Sequence, residues 1–364
     1  MHLIGSRVIA MPLRCLDYNG NSIQAFDLSD DGWEALSQEN SKARRLRMPC
    51  CEALVTLKRS RLGTKFFAHK AVGDCKWAPE TEEHLFLKRL AVEAARAQGW
   101  TAETEVRGKT TQGEFWKADV LAKKGKHKVA VEIQWSGQAV QETLRRQERY
   151  RASGVRGLWL LRQPGFPISK RIPAVCIGGS LDEGLTALLP RNADMQARDR
   201  RHYDRWNQVL SMEAFLRAAF DGRLRFGLEA GQEATVRIRT GNMFCWSCGA
   251  ETRIVVGLEI TVADKDFIIT IPSLGEYPQA TEIVRRCVST HHGIGAIKHR
   301  FSSTQRRTYL SNGCAHCDSL LGRFYGLDAT WDDEPLDTIR VRIADGWKEV
   351  IDSCGWRDTW CVCI

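Results

Sequence analysis

One acid set inside an apolar strand restricts this chain more than anything else in it. The stretch "VAVEIQWS" (129–136) alternates with a strand period, so Val129, Val131, Ile133 and Trp135 share one face. Ala130, Glu132, Gln134 and Ser136 share the other. The preceding "EFWKADVLAKKGKHK" reads as a partner strand joined to it by a basic turn around Gly125. On that partner, Lys117, Asp119 and Leu121 lie on one face. If the two strands are neighbours, Asp119 and Glu132 meet near one end of the sheet. Adjacent carboxylates repel, and a divalent cation, magnesium or manganese, removes the conflict and gives it a use. The backbone carbonyl of Ile133 is a further candidate ligand. The competing reading makes both acids surface residues, or pairs them with Lys117 or Arg145.

The segment before this hairpin, "PETEEHLFLKRLAVEAARAQ" (79–98), reads as a helix. Thr81 is its cap, Leu87, Leu90, Ala91, Ala94 and Ala95 form its apolar stripe, and Gly99 ends it. Glu80, Glu82 and Glu83 fall in the expected first turn. Glu80, His84 and Lys88 are four apart and share a side, with Glu83 one position round. An acid from such a helix complements a strand-borne metal pair. His84 taken alone reads as a packing histidine. "TAETEVRG", "AVQETLRRQERYRAS" and "VRGLWLLR" add a strand, a helix and a strand. The order helix, strand, hairpin, helix, strand predicts an α/β unit over 78–180, a mixed sheet flanked by helices. Residues 1–77 read as short strands and turns. Residues 190–364 read as a polar helical segment near 193–220, then short strands with cysteine pairs.

Charge is uneven. The 364-residue chain carries a formal net charge of +9, yet Lys42 to Lys70 holds nine basic residues against one acid, Glu52. Such a run attracts a polyanion or is a solvated face. Arg44, Arg45, Arg47, Lys58, Arg59 and Arg61 are the candidate phosphate contacts. No run of apolar residues is long enough for a membrane helix, and the first residues read as an early strand, not a signal peptide. The expectation is a cytoplasmic protein with reduced thiols, without membrane contact, so the thirteen cysteines point to zinc before disulfides. "FCWSCG" and "GCAHCD" supply Cys245, Cys248, Cys314 and Cys317, two knuckles of one tetrahedral four-thiolate zinc site. His316 is expected to face solvent. Cys354, Cys361 and Cys363 make a third cluster with no assigned fourth ligand. Trp246, Trp356 and Trp360 are either packing residues or nucleobase platforms.

The array Glu80-Thr-Glu-Glu-His84 with Lys88, "WKADVLA", "VAVEIQWS", Arg146 with Tyr150, and "GVRGLWLLR" resembles the nuclease-like domain of the CoiA competence-protein family over roughly 50–162. That family is similar to the PD-(D/E)XK nucleases, and the resemblance implies a restriction-endonuclease-like fold. It implies Asp119 as the first acid, Glu132 as the second, and Gln134 in the slot that a lysine fills in the wider superfamily. Glu80 or Glu83 is implied as the helix glutamate. Ser136 matches a serine two residues past the glutamine. Glutamine is neutral, so it can donate a hydrogen bond to a phosphate but cannot supply a lysine's charge. CoiA-like chains often open with a zinc-ribbon-like element ending in Phe-Ala-His. Here that implies zinc on Cys50, His69 and Cys75, with zinc-ribbon-like elements on either side of the nuclease-like domain. Adjacent Cys50 and Cys51 are not expected to bind one ion together. Two functions follow. One is a metal-dependent nuclease hydrolysing DNA, single- or double-stranded, in uptake, repair or defence, with RNA a further candidate substrate and protein partners in DNA processing. The other is an inactive nucleic-acid-binding scaffold.

Overall fold

The computed structural model describes residues 11–70, 80–163, 169–190, 206–229, 231–262, 265–322, 329, 334–344, 346–354 and 358–362. The chain forms two compact units, Met1–Phe226 with Thr359–Cys363, and Gly227–Asp358 with Ile364. No helix among the described residues is long and apolar enough to cross a membrane.

The first unit opens with an antiparallel pair, β1 (Arg14–Leu16) and β2 (Ser22–Gln24). Helix α1 (Asp30–Ala43) follows, where the sequence reading expects only strands and turns. Its start is well specified, since Ser29 accepts the Gly32 N–H at 3.0 Å and Asp30 and Asp31 sit in the first turn. Few apolar residues anchor it, which is why its period is hard to see. Trp33 packs on Phe67 with ring centroids 5.2 Å apart. Asn40 donates to the Val55 carbonyl at 2.9 Å and accepts the Leu46 N–H at 3.1 Å. Strands β3 (Val55–Arg59) and β4 (Lys65–His69) pair antiparallel. Arg59 lies 3.1 Å from both Asp30 and Glu34, and Lys65 lies 2.8 Å from Asp30, so α1 neutralises part of the basic run.

Helix α2 (Glu82–Ala97) leads into β5 (Thr101–Lys109), β6 (Phe115–Lys124) and β7 (His127–Gln134), then α3 (Val140–Ala152), β8 (Arg156–Leu161), β9 (Ala174–Ser180), β10 (Gly184–Pro190) and β11 (Trp206–Ser211). The seven strands form one sheet in the order β11-β10-β9-β8-β7-β6-β5. β7, β8 and β9 run parallel, and the remaining pairs are antiparallel. This is the mixed α/β sheet that the sequence predicts. Leu87, Ala91, Val131, Ile133 and Phe215 are buried in one core beside it. Ala130, Tyr150 and Trp159 are buried in a second. Each such large apolar side chain contributes roughly 1.5–3 kcal/mol.

The sheet runs past the expected boundary at 180. Residues 206–211, expected within a helical segment, add to the edge of β10, and Ser211 then caps α4 (Met212–Phe220) by accepting the Ala214 N–H at 3.1 Å. Residues 191–205 of that expected segment lie outside the described residues. β12 (Leu224–Phe226) pairs with Trp360–Val362, so residues 206–226 and the final strand belong to the first unit and not to a separate C-terminal region. Trp360 is buried and donates to the Ser169 and Ile172 carbonyls at 3.0 Å, which makes it a packing residue. Trp356 lies outside the described residues.

The second unit is built on the long pair β13 (Glu233–Phe244) and β14 (Glu251–Val262), extended by β15 (Lys265–Ile269) beside β14. After α5 (Ile271–Leu274) and α6 (Pro278–Val288) come β16 (Lys298–Ser302), β17 (Arg307–Gly313) and β18 (Leu320–Leu321), a sheet of their own. β19 (Glu334–Arg342) pairs with β13, and α7 (Trp347–Ser353) buries Trp347, Val350 and Ile351.

Candidate active site

The site lies where the β5–β6–β7 meander stops being regular. Thr104 pairs with Val120 and Val106 with Ala118, so the register is continuous but Glu105 and Asp119, opposite each other between those pairs, are left out of the pairing. Glu105 is buried with φ 50°, the left-handed region a non-glycine residue enters only when its surroundings hold it there. The described β6–β7 register ends at Val120 with Val131. Just beyond it, Asp119 Oδ2 accepts the Ile133 N–H at 2.9 Å, standing in for a backbone carbonyl.

Helix α2 delivers the next groups. Thr81 is its cap, accepting the His84 N–H at 3.4 Å, so Glu80 precedes the helix and is not in its first turn. Glu80 still reaches inward. Lys88, wholly buried, donates to Glu80 at 2.6 Å and Glu105 at 3.0 Å, and lies 3.7 Å from Asp119. Glu80, His84 and Asp119 offer ligand atoms that all lie within 4.8 Å of one another. His84 Nε2 is 3.4 Å from Asp119 Oδ2 but outside hydrogen-bonding geometry. Glu80 Oε2 and His84 Nε2 are both buried without a hydrogen-bond partner among the described residues. Two orphaned polar atoms converging on a carboxylate fit a cation. One imidazole beside two carboxylates shifts the preference from magnesium toward manganese.

Glu132 enters from β7 and is also fully buried. Tyr150 and Arg146, both on α3, donate to its two oxygens, and Arg146 also lies over the Trp159 ring at 5.3 Å. Burial and the neighbouring Asp119 charge push the Glu132 carboxyl up to about 8, outweighing Arg146 and Tyr150. Asp119 goes the other way. Burial alone would raise it, but the His84 and Lys88 charges and the Ile133 N–H hold it below the usual carboxylate range. Lys117 is lowered by burial and by Lys88. Four acids, Glu80, Glu105, Asp119 and Glu132, thus share one buried site, and burial with the Asp119 charge favours the protonated form of Glu132.

Of the residues singled out in sequence, Glu80 and Asp119 come together. Glu132 is close enough for its charge to couple to Asp119, but both its oxygens are held by α3. Its ionic partner is Arg146 and not Arg145. Gln134 Nε2 donates to the Ser136 carbonyl at 3.1 Å and lies 3.3 Å from its hydroxyl. Glu83 is half-buried and joins no metal-competent group among the described residues. His84, read alone as a packing residue, is a member of the central group. Glu105 was not anticipated, because strict alternation through "TAETEVRG" puts it on the face away from Thr104, whereas its left-handed backbone leaves both residues buried.

The cysteine pairs behave as their spacing predicts. Cys245 and Cys317 sulfurs are 3.6 Å apart, Cys248 and Cys314 sulfurs 3.7 Å, and all four lie within 4.8 Å. Each knuckle is the same turn: Gly249 N–H donates to the Cys245 carbonyl and Asp318 N–H to the Cys314 carbonyl, both at 2.9–3.0 Å, with φ 69° and 58°. His316 is exposed, with Nε2 at 3.0 Å from the Glu251 carbonyl. The N-terminal site repeats this turn with one substitution. Glu52 N–H donates to the Met48 carbonyl at 2.9 Å and Glu52 has φ 57°, so Met48 stands where a first knuckle cysteine would and Cys51 takes the second place. Met48 is buried in the apolar core there. Against expectation, adjacent Cys50 and Cys51 converge, both sulfurs lying with His69 within 4.8 Å, at 3.6 and 3.2 Å from its Nε2. Cys75 lies outside the described residues, as does Cys363. Cys354 and Cys361 join no such group among the described residues, falling in different units.

A comparison with curated proteins returned no match. Residues 80–170, about a quarter of the chain, match the family model described as competence protein CoiA, nuclease-like domain, and the chain carries a nuclease-like CoiA domain over that stretch.

Proposed function

We propose that this domain is a divalent-metal-dependent nuclease hydrolysing phosphodiester bonds of DNA, with the restriction-endonuclease-like site described by Glu80, Asp119, Glu132 and Gln134. The observation that carries the reading is the convergence of Glu80, His84 and Asp119, two of them with orphaned buried atoms, inside a nuclease-like domain. Those three residues would hold the metal, manganese or magnesium. When bound, it would supply Lewis-acid polarisation of the phosphate and a lowered pKa for an attacking water. Lys88 fixes Glu80 and Asp119 in place. Glu132 is oriented by Arg146 and Tyr150, and once it has released its own proton its carboxylate, with its pKa raised to about 8, would be basic enough to take one from water. Gln134 can turn its amide from Ser136 to a phosphate oxygen. Exposed Arg44, Arg45, Lys58 and Arg61 supply sequence-independent attraction, while Arg59 is already paired to Asp30 and Glu34. Zinc on Cys245, Cys248, Cys314 and Cys317, and on Cys50, Cys51 and His69, would make zinc-ribbon-like elements. The setting we infer is cytoplasmic DNA uptake, repair or defence alongside protein partners.

The second reading is a scaffold that binds nucleic acid without cutting it. It is favoured by the engagement of both Glu132 oxygens and of Gln134 within the fold. Incubating single- and double-stranded DNA, and RNA, with the chain and manganese separates the two. A nuclease cuts, and Asp119→Ala slows it by about 100-fold or more. Salt-sensitive binding in chelator with no cleavage in manganese supports the scaffold. Cleavage unchanged by Asp119→Ala rules out this site.

A further inference from the structure

The second unit holds another group of mixed donors that neither the nuclease reading nor the cysteine knuckles use. Cys287 lies in the last turn of α6, and the chain keeps winding past the helix end, with the His291 N–H donating to the Val288 carbonyl at 3.1 Å. This winding brings His291 to the same side as Cys287. Asp337 comes from β19, next to an irregularity in its pairing with β13 where Ile238 faces Asp337 and Arg239 faces Pro335. Such bulges re-aim side chains. The Cys287 sulfur is 3.0 Å from Asp337 Oδ2, His291 Nε2 is 3.9 Å from the same oxygen, and all three ligand atoms lie within 4.8 Å of one another. Donors on a tetrahedral zinc ion sit about 3.3–3.8 Å apart, so little movement would be needed.

Three features separate this group from a chance hydrogen-bond cluster. Asp337 Oδ1 accepts the Thr338 N–H at 2.7 Å, which fixes the carboxylate and leaves Oδ2 to the other two residues. No lysine or arginine pairs with Asp337 among the described residues. Sulfur, imidazole and carboxylate together select a borderline first-row ion and not magnesium or calcium. We propose that Cys287, His291 and Asp337 form a mononuclear zinc site, distinct from the four-cysteine group, whose fourth position is taken by exchangeable water. His291 and Asp337 are about one-third and two-fifths exposed, at 33% and 44% of their side chains, so the ion has a route in and out. A closed four-thiolate site holds its zinc structurally, whereas a three-ligand site keeps a position where water or a substrate oxygen can bind.

The test counts metal on the full-length protein. Zinc per chain is measured by elemental mass spectrometry for wild type, Asp337→Asn, His291→Ala, Cys287→Ser and His292→Ala, with circular dichroism as the folding check. The first three variants are each expected to lose one equivalent, and His292→Ala, altering an exposed neighbour, to lose none. Cobalt substitution is expected to show the four-thiolate charge-transfer bands unchanged in Asp337→Asn, with the one-thiolate contribution gone. If Cys287→Ser does not fold, Asp337→Asn and His291→Ala decide. A wild-type zinc count in folded Asp337→Asn and His291→Ala overturns the proposal.

Discussion

Replacing Glu132 with glutamine tests the electrostatics of the site in isolation. In the folded chain this carboxyl is pushed up to about 8 from an ordinary 4.5, first by burial and then by Asp119. Between those values the folded state holds one proton more than the unfolded state, so stability falls as pH rises through the window. The slope approaches 1.36 kcal/mol per pH unit, or about 2.7 kcal/mol from about pH 5.5 to about pH 7.5. Glu132→Gln keeps the shape and an acceptor for Tyr150 and removes the titration. Other shifted groups, such as His69 and Lys117, are common to both proteins and cancel in the difference. Denaturant-dependent hydrogen exchange of peptides covering β7, in chelator and corrected for intrinsic rates, reads the stability of this unit alone. The wild type is expected to lose roughly 2–3 kcal/mol more than the variant over that interval. Parallel pH dependences would show that Glu132 is ionised in the folded chain and that the charge argument is wrong.

Lys88→Met removes the buried ammonium that ion-pairs with Glu80, Glu105 and Asp119. It is expected to cost about 3–5 kcal/mol in the same exchange measurement, because three acids are left buried around an apolar chain. A loss under about 1 kcal/mol would mean that those acids are solvated. In the second unit, a Cβ at Gly295 would sit 1.8 Å from the Gly313 carbonyl oxygen. Gly295→Ala is therefore expected to lower the stability of that unit by about 1–3 kcal/mol, read by exchange in β17 peptides, and no change would contradict the packing there.

The helix–strand–hairpin–helix–strand order is legible in sequence because α2 and β7 each carry a clean apolar period, and Val131 and Ile133 do face the core. The cysteine knuckles are legible because spacing alone places two thiols on one turn. Three things are not. Helix α1 is held by Trp33 and by the buried amide of Asn40, too few anchors to register as a stripe. Glu105 is buried beside Thr104 by a left-handed backbone that leaves no local signature in "TAETEVRG". The division of labour among the acids depends on tertiary contacts. Glu132 is taken by Arg146 and Tyr150, while His84 moves into the group with Glu80 and Asp119, and spacing cannot say which acid a distant arginine will claim.

The central claim is that Glu80, His84 and Asp119 together hold a divalent cation. Anomalous diffraction from manganese-soaked crystals tests it most directly. The account predicts a peak at bonding distance from all three side chains, lost in crystals of the Asp119→Asn protein. A soaked crystal with manganese bound elsewhere and nothing among these three residues would contradict it.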